Sequence, residues 1–135
     1  MLQARAEMDV VVAGLAAQAR DEAGVELLRA RLAETRDCPD ERFPDADTAF
    51  HAALGEPAGN TVLRDMLKGM RAMIQRGWVE RTGEVRSREV AYADHGPIFE
   101  AVEKGDAQAA RAAMAAHMEG GSRRLKEALE RREDA

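Results

Sequence analysis

Apolar residues recur along most of this chain at the spacing of three and four positions that is typical of amphipathic α-helices. The periodic segments are separated by short stretches that contain glycine, proline or a residue suited to begin a helix. The predicted helices cover Leu2 to about Arg20, about Asp21 to Glu34, Pro44 to about Leu54, Thr61 to about Trp78, Asp94 or Pro97 to Lys104, and Asp106 to about Arg132.

Capping residues and glycines support these limits. Three residues that can accept a hydrogen bond from the first turn stand directly before a periodic segment: Asp21, Asn60 and Asp106. Gly105 is expected to end the fifth helix. The segment from Val79 to Glu89 is charged and aperiodic, so it is expected to be a connector. Gly120 and Gly121 are expected to weaken or bend the last helix.

The composition favours one all-helical domain. Ala, Leu, Met, Glu and Arg dominate the 135 residues, whereas aromatic residues make up only 4%. This mixture suits helices and lacks the β-branched and aromatic enrichment of strands. The length is typical of a single domain. We therefore predict an all-α antiparallel bundle of about six helices, with residues 1–135 forming one domain.

Charge, cysteine content and the absence of long apolar runs argue against nucleic-acid binding, disulfide bonds and membrane insertion. With 25 acidic and 20 basic residues, the formal net charge of −5 repels a nucleic-acid backbone, so this chain itself is not expected to contact DNA. Cys38 is the single cysteine, and no apolar run approaches the roughly 18 residues of a membrane span. The first residues lack the apolar core of a signal peptide. We expect a cytoplasmic protein without membrane contact.

The three histidines are the candidates for chemistry. Asp47 and His51 are four residues apart on the third predicted helix, so their side chains share a face, which Phe50 and Leu54 mark as the inner one. His95 is placed at the start of the fifth helix. His117 lies on the last helix within an apolar stripe formed by Ala110, Ala113, Met114 and Met118. Buried polar groups need partners, and one metal ion could satisfy all three imidazoles together with the carboxylate.

Spacing alone leaves ordinary alternatives open. A histidine on an apolar face is commonly a core residue that is hydrogen-bonded to a carbonyl group. An Asp and a His at positions i and i+4 commonly form a contact along the helix surface.

The order of these residues along the chain resembles a known regulatory domain. The matching positions are Asp47-Thr48-Ala49-Phe50-His51, Leu54, Gly59-Asn60, Leu63, Asp94-His95, Ile98, Ala101, Val102, Gly105-Asp106, Ala109-Ala110, Met114 and His117. They resemble the FadR-type C-terminal effector domain (FCD) of GntR-family bacterial transcription regulators. Arg5, Met8 and Asp9 are similar to the pattern that opens that domain's first helix.

The resemblance implies an all-helical bundle, usually a homodimer, with a pocket for a small organic acid. In the metal-binding branch an ion is held by one Asp and three His, which here would be Asp47, His51, His95 and His117. Zinc or nickel suits such ligands best, and manganese or iron also fits. The winged-helix DNA-binding domain of the family is absent from this chain, so DNA would be contacted only through such a domain in a full-length regulator. Pro97, two residues after His95, departs from the family pattern.

Two arginines are candidates for binding an anionic effector. A six-coordinate ion with four protein ligands would leave two places for a carboxylate, and a guanidinium can hold the same carboxylate through two hydrogen bonds. Arg71 lies on a predicted inner face with Leu67, Ile74 and Trp78. Arg5 is a candidate on resemblance. For both, the alternative is a salt bridge to a neighbouring acid.

Three functions are consistent with these features. The first is a metal-dependent sensor of a small carboxylate that acts within a transcription regulator and is not an enzyme. The second is a mononuclear metal hydrolase, although no Asp or Glu is recognisably placed as its base. The third is a purely structural metal site that clamps three helices.

Overall fold

The computed structural model describes residues 2–83 and 87–135, and within these ranges the chain forms six α-helices and no strand. The helices are α1 (Leu2–Gln18), α2 (Glu22–Asp37), α3 (Phe43–Ala58), α4 (Thr61–Thr82), α5 (Arg88–Lys104) and α6 (Ala107–Asp134), and a short 3-10 turn (Asp40–Arg42) precedes α3. The all-α prediction is confirmed. None of the described helices has the length and apolar character that crossing a membrane requires.

The first helix lies at the centre of the packing, where it contacts α3, α4, α5 and α6. Ala13 and Ala16 on its inner face are completely buried, and their small side chains allow the neighbouring helices to come close. Larger side chains fill the space around them: Val12, Leu28, Phe50, Leu54, Leu67, Ile98, Val102 and Met114. Burial of each such side chain contributes roughly 1.5 to 3 kcal/mol to the stability of the fold.

The predicted capping residues occupy the positions that the sequence indicates. Three side chains accept a hydrogen bond from a backbone N–H in the first turn of a helix: Asp21 from Gly24, Asn60 from Leu63 and Asp106 from Ala109. Gly105 ends α5 with a φ of 71°, in the left-handed region that glycine adopts without strain. These contacts satisfy backbone groups that the helix itself leaves unpaired.

Four helices are longer than the sequence predicts. The second continues past Glu34 to Asp37. The third continues past Leu54 to Ala58, because Gly55 faces α4 and Pro57 lies in the last turn. The expected connector from Val79 to Glu89 is wrong at both ends, since α4 continues to Thr82 and α5 begins at Arg88. Positions 84–86 of that connector lie outside the described residues.

The early start of α5 changes the position of His95. Ser87 caps this helix, and Pro97 lies inside it. His95 therefore lies well within α5 rather than at its start, on a buried stripe with Ala91, Ile98 and Val102. The apolar contacts along this stripe outweigh the loss of one backbone hydrogen bond at the proline.

The close approach of α3 and α4 at Gly55 gives a test of the packing. A Cβ atom on Gly55 would lie 2.6 Å from the Cβ of Arg64, whereas one on Gly96 would meet nothing within 4 Å. We expect Gly55→Ala to lower the free energy of unfolding by about 1 to 3 kcal/mol through overpacking. Gly96→Ala is the matched control and is expected to raise it by up to about 1 kcal/mol, because alanine favours helix. Urea denaturation measures both, and equal effects of the two substitutions would contradict the described contact.

Candidate metal centre

Three histidine rings converge in the middle of the bundle. His51 comes from α3, His95 from α5 and His117 from α6, and each is exposed by 2% or less. One ring nitrogen of each lies within 4.8 Å of the corresponding nitrogens of the other two. Residues that are far apart in the sequence thus present donor atoms to one buried point.

The carboxylate of Asp47 lies at the same point. Its Oδ1 atom is 3.3 Å from Nε2 of His95 and 3.7 Å from Nε2 of His51, and these two nitrogens are 3.2 Å apart. Neighbouring ligands that each lie about 2.1 Å from one ion are about 3.0 to 3.4 Å from each other. The atoms of Asp47, His51 and His95 therefore lie near the spacing of ligands around one divalent ion, and a nitrogen of His117 lies within 4.8 Å of the two other imidazoles.

A hydrogen bond determines which nitrogen of His117 faces this point. Nδ1 of His117 lies 3.0 Å from Oδ2 of Asp94. Because an ionised carboxylate can only accept, Nδ1 carries the hydrogen of the neutral ring and Nε2 keeps its lone pair. Nε2 is buried and has no hydrogen-bond partner among the described residues. An imidazole held in this way by a carboxylate is the usual arrangement of a metal-binding histidine.

A second contact fixes Asp94 itself. Nη2 of Arg124 donates to the same Oδ2 atom at 3.0 Å. Gly120, one turn earlier on α6, makes this possible, because a Cβ atom there would lie 3.0 Å from a guanidinium nitrogen of Arg124. The helix runs on through Gly120 and Gly121. One of the two glycines that were expected to weaken α6 thus leaves room for the arginine.

The other two histidines have different surroundings. Nδ1 of His51 lies 3.5 Å from Oδ1 of Asp9 on α1. The ring of His95 stacks on Phe50, with centroids 4.2 Å apart and planes 11° from parallel. Asp9 therefore limits the rotation of the His51 ring, and Phe50 limits the rotation of the His95 ring.

Asp47 is held from its other oxygen. Oδ2 accepts from Nη2 of Arg71 at 2.6 Å and from Nε2 of Gln75 at 2.9 Å, while Oδ1 faces the histidines. Arg71 is 1% exposed, as its position on the inner face predicts. It forms the salt bridge that the sequence analysis gives as the alternative to effector binding, and its effector-binding role stays a prediction.

Arg5 and Arg71 both reach the second buried acid, Asp9. Nε of Arg5 is 3.5 Å from Oδ2 of Asp9, and Nη1 of Arg71 is 3.7 Å from the same atom. Arg5 also contacts the sulfur of Met118, the neighbour of His117. The interior of the bundle therefore contains two carboxyl groups and two guanidinium groups around the histidines.

The space around these side chains is small. A cavity of about 20 Å³ between α1, α4 and α6 is lined by Arg5, Trp78, Met118 and neighbouring side chains. Such a volume holds about one water molecule. A groove of about 580 Å³ lies between α3 and α4 and is lined by Thr48 and Gln75 among others. Gln75 therefore contacts both the groove and Asp47.

The electrostatics favour the neutral forms of His51 and His117 at physiological pH. Burial, with a further contribution from the charge of Arg71, lowers the pKa of His51 well below its usual value. Burial, together with His95, lowers the pKa of His117 to about 4. Burial raises the pKa of Asp9. Burial also acts to raise the pKa of Asp94, but the hydrogen bond and charge of His117 and the charge of Arg124 bring it below its usual range. Neutral imidazoles are the form that binds metal.

Sequence reasoning identified the converging side chains but not most of the groups that hold them. The sequence does not predict Gln75 and Arg124, and it indicates Asp9 and Asp94 only as positions that match the family pattern. A signal exists for Gln75, which lies one turn after Arg71 on the same face. A similar signal exists for Arg124, which lies two turns after His117. The carboxylate partners come from other helices, and no local spacing predicts them.

The fold and site define an all-helical domain built around a buried polar centre. The chain belongs to the family of the FCD domain, whose model matches residues 1–120. It is similar to the HTH-type transcriptional regulator LutR of Bacillus subtilis (strain 168), with 30% identity over 129 residues. The alignment covers 87% of this chain and 57% of the regulator, so the chain spans little more than half of that relative's length. The predicted effector-domain family is confirmed, and membership of its metal-binding branch stays a prediction.

The lowered pKa values predict how acid affects the chelator-treated, metal-free chain. Between pH 6.5 and about 4 the unfolded chain binds a proton on His117 that the folded chain does not bind. Stability should therefore be constant above pH 6.5 and fall below it, by at most about 1.4 kcal/mol per pH unit for each such histidine. Urea denaturation at pH 7.5, 6.0 and 5.0 measures this slope. His117→Gln should reduce the slope, and a slope unchanged by this substitution would contradict the assignment.

Proposed function

We propose that this chain is the effector-binding part of a transcription regulator and that it senses a small carboxylate through a divalent metal ion. Asp47, His51, His95 and His117 would hold the ion, and zinc or nickel is the expected metal. The observation that carries the proposal is the convergence of their donor atoms at one buried point. DNA would be contacted by a separate domain of the full-length protein, and a cytoplasmic location stays a prediction.

The arrangement of charges supports an anionic effector. With their acids ionised, Asp9, Asp47, Arg5 and Arg71 form a buried set with no net charge. A bound divalent ion acts as a Lewis acid that can take up a carboxylate oxygen. It would also add two positive charges to an interior in which uncompensated charge is costly. A small mono- or dicarboxylate brings the opposite charge, so metal and effector would bind more strongly together than separately.

Arg5 is the residue best placed to receive the carboxylate. It lines the cavity between α1, α4 and α6, and it contacts Met118 beside His117. Its Nε atom lies 3.5 Å from Oδ2 of Asp9. Arg71, in contrast, is bound closely to Asp47. We therefore assign Arg71 mainly to the positioning of Asp47 and Arg5 to contact with the effector.

The relationship to a transcriptional regulator favours a sensor over a hydrolase. Asp9, the buried acid beside His51, also lies near two arginines. A closed structural site would hold the same four ligands but would bind no acid. The carboxylate measurement described below therefore separates the sensor from the structural alternative.

Removal of one ligand tests the metal site. We expect the purified chain to bind about one zinc ion per protomer, and zinc at a hundredfold excess over Kd should stabilise the fold by about 2.7 kcal/mol. His117→Ala should abolish most of this increment. Met114→Ala is the matched control, because it removes a fully buried side chain one turn away on α6 and should keep the increment despite its lower stability. Thermal unfolding with and without zinc after chelator treatment gives the values.

Asp94→Asn provides a graded second result. Loss of the carboxylate that orients His117 should weaken zinc binding about 10- to 100-fold, as is typical for partners of metal ligands. Glu119→Gln, which changes an exposed acid on α6 close to His117 in the sequence, should have no effect. If both His117→Ala and Asp94→Asn retain the full zinc increment, the three histidines are core residues and the metal site is wrong.

Carboxylate binding is tested on the zinc-loaded chain. Isothermal titration with acetate, glycolate, succinate, malate and citrate should identify at least one acid that binds, and its neutral amide should not bind. Arg5→Gln should weaken binding about 10- to 100-fold, the value of a hydrogen bond to a charged group, and leave zinc binding unchanged. Arg123→Gln, an exposed arginine on α6, is the control. Zinc uptake without binding of any acid would favour the structural site.

The expected homodimer stays a prediction from the family resemblance. Nothing in the four ligands or in their partners requires a second chain. The surface at which two copies would meet has to be sought on the outside of the bundle.

A further inference from the structure

The outer face of α4 exposes an unusual amount of apolar surface. Among the described residues, five large hydrophobic side chains are exposed, and four of them belong to this helix. They are Val62, Met66, Met73 and Val79, with exposed fractions of 68%, 53%, 51% and 47%. Single exposed apolar residues are ordinary, but a group on one helix commonly marks an interaction site.

Three of these residues form one stripe together with two glycines. Val62, Met66, Gly69, Met73 and Gly77 follow each other at spacings of four, three, four and four, so they lie along one side of the helix. This spacing is close to that of the contact seam between two paired helices. The helix is 22 residues long, or about 33 Å, which is long enough for an extended contact.

The two glycines have no packing role within the protomer. A Cβ atom on Gly69 or Gly77 would meet nothing within 4 Å, in contrast to Gly55 and Gly120, which face arginine side chains. Glycine inside a helix costs about 1 kcal/mol relative to alanine. A protomer alone gives no reason for this loss, whereas a second helix that packs closely against this side would.

We propose that this stripe binds the same stripe of a second copy of the chain, with the two α4 helices antiparallel. A two-fold axis between Gly69 and Met70 would place Val62 of each copy opposite Gly77 of the other. It would also place Met66 opposite Met73. Large side chains thus meet the gaps left by glycines, and one surface is complementary to itself, as a two-fold interface requires.

The charges beside the stripe determine the direction of pairing. Asp65 and Arg76 are exposed and lie eleven residues, or about three turns, apart on the same edge of the stripe. An antiparallel pair brings Asp65 of one copy near Arg76 of the other, twice. In a parallel two-fold pair the same edges of the two copies lie on opposite sides of the seam, so Asp65 and Arg76 would stay apart. Within the protomer Asp65 uses Oδ1 to accept from Arg64, which leaves Oδ2 for the second contact.

This inference rests on the proposed dimer but not on the metal, because the stripe contains none of the candidate ligands. Sedimentation equilibrium of the chain at 1 to 100 μM should show a dimer. Met66→Glu should weaken association at least tenfold, whereas Val11→Glu, which changes an equally exposed residue on α1, should not.

Gly69→Leu separates association from folding. It should stabilise the isolated helix, because leucine is the better helix former, but weaken the dimer at least tenfold by filling the gap. Asp65→Arg and Arg76→Asp should each weaken association by introducing two repulsive pairs, and the double variant should restore it.

Zinc-dependent stabilisation measured in the same samples distinguishes this inference from the metal site. A parent chain that is monomeric at 100 μM overturns the interface, even where it binds zinc normally. A dimer that Met66→Glu and Gly69→Leu leave intact places the contact elsewhere and overturns it as well. Failure to bind zinc in a chain that dimerises through α4 overturns only the metal site.

Discussion

The ion pair between Asp47 and Arg71 is the contact on which the centre of this bundle depends. Both side chains are almost completely buried, and the carboxylate also lies beside the imidazoles of His51 and His95. A buried carboxylate without a cation would be strongly destabilising, so Arg71 allows Asp47 to remain in its charged form. The histidines, Asp9 and Gln75 are arranged around this pair. The apolar residues of α1, α3, α5 and α6 close the interior around them.

Helical periodicity and capping residues predicted the number and order of the helices and placed Asp47, His51 and His117 on inner faces. Periodicity predicted the wrong helix limits where those limits do not depend on the pattern of apolar residues. The C-terminal turn of α4 carries the exposed, charged Glu80 and Arg81. Pro97 suggested a helix start, but the buried stripe of α5 extends the helix before it. Hydrophobic patterning detects buried positions, so it misses exposed helical turns. Reading a proline as a helix start underestimates the length of a helix that contains one.

The candidate site was predictable as a set of residue types but not as a network. The structure brings His95 to the other predicted residues, but its place within α5 was predicted wrongly, because that place depends on where α5 begins. Asp94 pairs with a histidine on another helix, and Arg124 reaches it only because Gly120 lacks a side chain. Such contacts depend on the relative position of α5 and α6, which the sequence of either helix alone does not contain.

The cavity beside Arg5 is too small for any organic acid, and this has a consequence for signalling. A guest molecule larger than water can enter only if α1, α4 and α6 separate around it. Binding of the molecule and separation of the helices would then occur together. The free energy needed to separate the helices would reduce the observed binding affinity. One of the walls that must move is α4, whose opposite side carries the apolar stripe. An increase in the volume of the cavity would in this way change the orientation of α4 and of the apolar stripe on its outer side.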